Sequence, residues 1–144
     1  MRKFFILVLV VAFTLSLPLA AFATDSSNGE LEIASEYLSS HDIMVGDGEG
    51  NMNFDAPLTR AHLAAILSRI HGGETEVEDN QEFYTAQCKF KDVPAWARQY
   101  AGYCAYHDLM VGYGGDLFGA GDPVTPAAAC TVILRYLDLP DLAW

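Results

Sequence analysis

The chain has 144 residues and a formal net charge of −11, with 19 acidic residues against 8 Lys and Arg. This acidity argues against nucleic-acid binding, because the chain lacks a basic stripe that could displace counterions from phosphate. It also disfavours binding to anionic lipid surfaces. About 120 residues remain after the N-terminal segment, enough for one compact domain or two small subdomains.

The N-terminus reads as a signal peptide of residues 1–23. Arg2 and Lys3 give a basic start, and residues 4–20 are almost wholly apolar. The small-x-small sequence at 21–23 is typical of a cleavage site, and the apolar run is short for a membrane span. The sequence therefore predicts an exported protein without a lipid anchor after cleavage. An uncleaved anchor is the alternative.

A six-residue sequence occurs twice in the remaining chain. "HDIMVG" at His41–Gly46 returns as "HDLMVG" at His107–Gly112, 66 residues later. The same shift aligns further pairs: Tyr37 with Tyr103, Gly48 with Gly114, Pro57 with Pro123, Thr59 with Thr125, Ala61 with Ala127, and Arg69 with Arg135. Such self-similarity predicts a duplicated structural unit, in which the two hexapeptides end equivalent helices and their histidines are structural.

Each copy is expected to be a helix–loop–helix, with repeat 1 in residues 24–71 and repeat 2 in residues 88–144. A two-helix hairpin leaves much of its apolar stripe exposed to water, so the two units should pack on each other or on further copies. The sequence therefore predicts an all-α fold in which two helix–loop–helix repeats form a small helical bundle.

The helix boundaries follow from capping residues. In repeat 1 the first helix is predicted from roughly Leu31 to Ser40, and Thr59 should cap the second. In repeat 2 Asp92 is the candidate N-cap of the first helix. Thr125, followed by Pro126 at a first helical position, should begin the second.

Between the repeats, residues 72–87 read "GGETEVEDNQEFYTAQ". Glycines and acidic residues of this kind do not supply a buried face. The segment is therefore predicted to be a solvated acidic linker.

The three cysteines are an odd number for an exported protein. Cys104 and Cys130, on the two predicted helices of repeat 2, are the candidate disulfide, and Cys88 could instead pair or stay free. The spacing matches no zinc pattern, so no metal site and no cofactor are predicted.

Residues 47–55, "DGEGNMNFD", invite comparison with a calcium-binding loop. If Gly50 is the sharp-turn glycine of an EF-hand, the first and twelfth ligands become Val45 and Ala56, which cannot coordinate calcium. A looser calcium site remains an alternative; its ligands would be Asp47, Glu49 and Asp55. The chain has no G-x-S-x-G context for a nucleophilic serine, and its carboxylates cluster in the linker, so no enzyme is predicted.

Repeat 2 contains "FKDVPAWARQYAGYCAYHDLMVGYGGDLFGAGDPVTPAAACTVILRYL", which resembles an S-layer homology (SLH) motif. The positions that match the family pattern are Phe90, Asp92, Val93, Trp96, Leu109, Gly112, Phe118, Val124 and Thr125. Repeat 1 is similar to the same motif through Ile43, Gly46, Phe54, Pro57, Leu58, Thr59, Arg60 and Ala61. The chain thus resembles two tandem SLH motifs behind a signal peptide.

The resemblance implies a noncatalytic module, secreted and held at the cell wall or surface of a bacterium. Grooves between such motifs hold a secondary cell-wall polysaccharide, often pyruvylated. By position, the resemblance points to Arg60, Trp96, Gly46 and Gly112 as glycan-binding residues. A guanidinium suits a ketal carboxylate, and an indole face suits a sugar ring.

Two departures from the family pattern narrow this expectation. Residues 125–128 read Thr-Pro-Ala-Ala where the family has T-R-A-E, and His62 stands where the family has Glu. Only the groove that combines Arg60 with Trp96 therefore retains the expected ligands. The alternative function is an assembly module that pairs with another SLH-type protein or with itself, completing the bundle. Its contact surface would be formed by Tyr100, Tyr103 and Tyr106.

Overall fold

A computed structural model describes residues 23–46, 51–72 and 75–139, with side chains from residue 29 onward. The helices are α1 (Ala23–Ser40), α2 (Arg60–Gly72), α3 (Glu76–Asp79), α4 (Gln81–Gln87), a 3-10 helix (Ala95–Ala97), α5 (Arg98–Tyr106) and α6 (Pro126–Tyr136). The described chain forms no sheet, so the all-α prediction is confirmed. The predicted signal peptide lies outside the described residues except for Ala23. None of the described helices has the length and apolarity needed to cross a membrane.

The chain divides into two units, residues 1–37 and residues 38–144. In the first unit the structure describes the part of α1 that ends at Tyr37. This helix begins at Ala23 rather than near Leu31, because the intervening Gly29 weakens a helix without stopping it. The second unit contains every other helix and the features described below.

The core of the second unit is built around α5. Both α2 and α4 pack against it. Helix α4 approaches closely because Gly102 has no side chain; a Cβ there would overlap the carbonyl of Tyr84. The largest fully buried side chains of this core are Tyr103, Phe118, Met110, Val77 and Cys104.

Residues 75–87 differ from the solvated linker that the sequence predicts for residues 72–87. They contain α3 and α4, and Val77 and Tyr84 are buried in the core. Val77 lies in α3 and Tyr84 in α4, so each of the two short helices contributes one side chain to the core. The Tyr84 hydroxyl also donates to Glu76 Oε1 at 2.7 Å. The acidic side chains of Glu78, Asp79 and Glu82 are exposed to solvent.

Both hexapeptides end a helix with the same backbone turn. Two successive N–H groups donate to one carbonyl near the helix end. The pairs are Ile43 and Met44 to Leu38, at 2.9 and 3.1 Å, and Leu109 and Met110 to Cys104, at 2.9 and 3.2 Å. The aspartates before them, Asp42 and Asp108, have φ values of 51° and 55°. A left-handed residue of this kind reverses the chain after a helix.

The start of α2 is tied to the second glycine loop. Thr59 pairs with Pro123 in an isolated β-bridge, and Arg60 N–H donates to the Asp122 carbonyl at 2.9 Å. The N–H of Ala61 donates to Ala120 at 3.0 Å. These contacts satisfy donors that a helix N-terminus would otherwise leave free. The loop that follows the second hexapeptide therefore packs on α2.

Thr125 caps α6 as predicted, because its hydroxyl oxygen accepts from Ala128 N–H at 3.2 Å and Pro126 follows. Asp92 acts differently from the predicted helix cap. Its carboxylate accepts backbone hydrogen bonds from the second glycine loop; the donors are Phe118, Gly119 and Ala120. Burial alone would raise the pKa of Asp92, but these three donors outweigh it and lower the pKa. Asp92 therefore fixes the loop rather than the helix.

Candidate functional site

A groove of about 650 Å³ lies in the second unit. One wall is α2, and a second is the first hexapeptide with the loop that follows it. Trp96 of the 3-10 helix and Tyr100 of α5 form the third. The groove therefore has two walls from predicted repeat 1 and one wall from predicted repeat 2. Residues of the first hexapeptide line it.

One face of α2 lines the groove. His62, Ala65, Ile66 and Arg69 recur at the spacing that places side chains on one side of a helix. The two polar members stand at the ends of this face and the two apolar members between them. This wall combines an apolar floor with two basic groups.

Arg69 is half-buried, and its guanidinium is held by two contacts. Nη2 donates to the Tyr100 hydroxyl at 3.0 Å, and Nη1 donates to the Ile43 carbonyl at 3.4 Å. The guanidinium carbon also lies 5.1 Å from the centre of the Tyr100 ring. A fork held in this way is preorganised to bind a carboxylate, because little side-chain entropy remains to be lost.

Trp96 is the large aromatic surface of the groove and is 50% exposed. The His62 ring stacks on it with 5.4 Å between ring centres and 26° between planes. His62 Nδ1 lies 2.9 Å from the Thr59 hydroxyl oxygen, so the imidazole is held from its other side. This support leaves the indole fixed and open to the groove.

In the loop wall, the backbone of Gly46 lies close to that of Asn51. Gly46 has a φ of +66°, and a Cβ there would meet the Asn51 carbonyl oxygen at 2.7 Å. The loop beyond it brings the amides of Asn51 and Asn53 to the groove. Amide groups offer both donors and acceptors to the hydroxyl groups of a sugar.

The groove differs in charge from the chain as a whole. Among its described lining residues the charged or titratable side chains are His62, Arg69 and Tyr100, and none is acidic. The whole chain carries a net charge of −11. The described lining therefore presents the positive charge of Arg69 to a bound anion.

The structure places two of the four predicted glycan-binding residues, Gly46 and Trp96, in this groove. Arg60 lies elsewhere and is buried. Its Nε and Nη2 each donate at 2.8 Å, to the carbonyls of Phe118 and Val111 respectively. The guanidinium carbon of Arg60 lies 4.6 Å from the centre of the Tyr113 ring and 4.9 Å from the centre of the Phe118 ring. Arg60 thus holds α2 against the second hairpin.

Gly112 lies in a separate, shallower depression of about 430 Å³ that also contains Lys89 and Tyr106. A Cβ at Gly112 would meet the Leu117 carbonyl oxygen and the Phe90 ring, both at 2.5 Å. Gly112 therefore permits close packing of the second loop.

Residues 89–130 match the family model of the S-layer homology domain. This segment is an S-layer homology domain. It begins after α4, includes α5 and the second hexapeptide, and ends within α6. No curated protein and no solved structure matches the chain. S-layer homology domains generally mediate anchoring at the cell wall or surface of bacteria.

The structure of the S-layer homology domain does not contain the predicted bridge between Cys104 and Cys130. All three cysteines are free thiols, with Cys88 and Cys104 buried and Cys130 exposed. The Cys104 thiol donates to the Ala64 carbonyl at 3.5 Å, and burial raises its pKa. Cys104 therefore faces α2, whereas Cys130 faces solvent.

The three tyrosines of α5 do not form the exposed surface that the alternative function requires. Tyr100 and Tyr103 are buried, and only Tyr106 is exposed. Burial raises the pKa of Tyr103 to about 12, with a smaller effect from Glu76. The hydroxyl of Tyr103 lies 2.7 Å from His71 Nδ1.

In the described part of the chain, no three His, Cys, Asp or Glu side chains come together as metal ligands. Two residues of the alternative calcium site, Asp47 and Glu49, lie outside the described residues.

Sequence reasoning missed Arg69 and His62 as groove residues. Arg69 was noted only because it aligns with Arg135 in the repeat. The family pattern pointed to Arg60 instead. His62 was noticed only as a departure from that pattern. The helical spacing of seven residues between them was the signal that could have placed both on one face.

Proposed function

We propose that this chain binds a secondary cell-wall polysaccharide bearing pyruvyl ketals, and that this binding retains the protein at the bacterial surface. The observation that supports the proposal is the groove in which half-exposed Trp96 and the cation of Arg69 stand on adjacent walls.

Each wall suits one part of such a glycan. The indole face of Trp96 packs against the C–H surface of a sugar ring. The fork of Arg69 binds the ketal carboxylate through charge-assisted hydrogen bonds. The amides of Asn51 and Asn53 bind hydroxyl groups. None of these steps requires a nucleophile or a general base, so the proposed activity is noncatalytic.

In this proposal Arg69 takes the role that the family pattern assigned to Arg60. Arg60 contributes indirectly, because its hydrogen bonds to the second hairpin hold α2 in place. The groove then belongs to two tandem motifs, with α2 and the first hexapeptide from repeat 1 and Trp96 from repeat 2. Secretion through the N-terminal signal peptide, residues 1–23, remains part of the proposal.

Sedimentation with purified bacterial walls tests the proposal, before and after the secondary polymer is stripped. We expect binding to be lost on stripping. Trp96→Ala and Arg69→Gln should each weaken binding at least about tenfold, the effect of losing about 1.4 kcal/mol.

Matched controls separate the groove from general effects. Phe83→Ala removes an exposed aromatic outside the groove, and Lys91→Gln removes an exposed cation whose salt bridge to Asp116 is on the surface. Both controls should bind as the unmodified chain does. Equal binding to stripped and unstripped walls would contradict the proposal.

The alternative, an assembly module, is favoured by a different surface. Three apolar residues at the C-terminal end of α6 and just beyond it are exposed: Ile133, Leu137 and Leu139. Apolar residues exposed together are typical of a protein contact. Analytical ultracentrifugation tests this function: an oligomer that Ile133→Ser and Leu137→Ser dissociate would support it, whereas a monomer at every concentration would contradict it for self-association.

A further inference from the structure

We propose that His62 makes glycan binding in the groove pH-dependent, because the protonated imidazole supplies a second cation to the acidic sugar. The inference rests on the proposed function and adds a regulation of the same site. Binding is stronger in mildly acidic solution and weaker above neutral pH.

His62 is exposed and lines the groove on the same face of α2 as Arg69. The two residues are seven positions apart, which is about 10 Å along a helix. A glycan that places a carboxylate at Arg69 therefore extends along the groove toward the imidazole. A histidine side chain changes charge between about pH 5 and 8, whereas the guanidinium stays cationic.

The imidazole keeps its position in both protonation states. Its Nδ1 lies 2.9 Å from the Thr59 hydroxyl oxygen, and a hydroxyl can either donate or accept. The neutral ring accepts from this hydroxyl, and the protonated ring donates to it. Protonation therefore changes the charge of the groove without displacing its wall.

The stacking partner of His62 is an aromatic ring. The indole of Trp96 lies almost parallel to the imidazole, with 5.4 Å between ring centres. A cation over an aromatic face is attracted by its negative quadrupole. The indole can therefore support the charged ring at the edge of the groove.

No acidic side chain among the described lining residues pairs with His62. The other charged or titratable groups that line the groove are Arg69 and Tyr100. In this proposal the carboxylate of a bound sugar is the anion that faces the imidazolium. Because linkage is reciprocal, a ligand that binds the protonated form better must also favour proton uptake.

Isothermal titration with a pyruvylated methyl glycoside, at about pH 5.8 and pH 8.0, tests the inference. The pyruvyl carboxylate remains ionised at both values, as ordinary carboxylates do. We expect the affinity of the unmodified chain to rise about twofold at the lower pH, the effect of one unit charge about 10 Å away in water. His62→Gln and His62→Arg should each bind with the same affinity at both pH values. His41→Gln, outside the groove, should keep the pH dependence.

The outcomes separate the two proposals. Binding by the unmodified chain that does not change with pH, or a pH dependence retained by His62→Gln, would overturn the role of His62 alone. Failure to bind the pyruvylated sugar at both pH values, with walls also unbound, would overturn the proposed function and this inference with it. NMR of the His62 ring gives an independent readout: added glycoside should move its titration midpoint to higher pH, and an unchanged midpoint would contradict the linkage.

Discussion

The two hexapeptides share a sequence and a backbone turn, but they differ in what covers them. Ile43 and Met44 of the first are half-buried and line the groove. Leu109 and Met110 of the second are fully buried. The same helix ending therefore serves as the wall of an open site in one place and as part of the core in the other.

The difference arises in the loops that follow. After the second hexapeptide, Phe118 is completely buried. Its ring packs against Phe90, with 5.0 Å between the ring centres. Asp92 and Arg60 then fix that loop through its backbone. After the first hexapeptide, the equivalent aromatic Phe54 is 44% exposed. The loop after the second hexapeptide is thus part of the core, whereas the loop after the first lines an open groove.

The largest expected effect comes from the two loop aromatics. Phe118→Ala should lower the free energy of unfolding by about 3–5 kcal/mol, because it leaves a large cavity in the core. Phe54→Ala should cost less than about 1 kcal/mol, because its ring is already partly in water. Urea unfolding followed by circular dichroism measures both. Similar losses for the two variants would show that the first loop is also part of the core.

The hexapeptides themselves give the second test. Met110→Ala should lower the free energy of unfolding by about 2–4 kcal/mol, since its side chain is 1% exposed and its removal leaves a cavity. Met44→Ala removes the same atoms at the equivalent position and should cost about 1 kcal/mol. The two variants differ only in position, so each is the control for the other. A reversed order would contradict the distinction between a core turn and a groove turn.

The two arginines of α2 give a third comparison. Arg60→Met should cost about 2–3 kcal/mol, because the carbonyls of Val111 and Phe118 lose their charged donors in a buried place. Arg69→Met should cost about 1 kcal/mol but weaken glycan binding. Thermal unfolding and wall sedimentation, measured on both variants, separate these roles. An Arg60→Met chain that is stable but does not bind would return Arg60 to the ligand site.

The sequence predicted much of this fold because the local signals agree with the tertiary structure. Thr125 with Pro126 begins α6 through a local cap, and each hexapeptide ends a helix through a left-handed aspartate. The segment of residues 72–87 was misjudged because its composition is acidic, while two apolar residues, Val77 and Tyr84, decide its packing. The acidic composition of the segment conceals these two side chains, one in α3 and one in α4.

The candidate site was predicted less completely. The family pattern pointed to a groove and to Trp96. It could not predict which arginine side chain faces that groove, because this depends on tertiary packing. Arg60 and Arg69 lie on the same helix, and only the packing of the second loop decides which of them is buried. A sequence pattern assigns a position to a residue but not the side of the helix that a neighbouring loop will cover.

The smallest expected effect concerns the two histidines that begin the hexapeptides. Burial lowers the pKa of His107, and His71 lowers it further, while the carboxylates of Glu76 and Asp108 act in the opposite direction. Its Nε2 is buried and has no hydrogen-bond partner in the described chain. Three tyrosine rings also contact His107: Tyr84, Tyr103 and Tyr106. His41 is exposed at the equivalent position.

The sign of the pH effect follows from this lowered pKa. The unfolded chain binds a proton at a higher pH than the folded chain does, so the stabilising contribution of neutral His107 is complete above the unfolded value. It is lost as the pH falls through the folded value. We therefore expect the urea midpoint to decrease from about pH 7.5 to pH 5.5, the range in which histidine titrates. His107→Gln should flatten this dependence, whereas His41→Gln should leave it unchanged. If both variants keep the same slope, the second hexapeptide is no more sensitive to protonation than the first, and the contrast between the two turns is limited to packing.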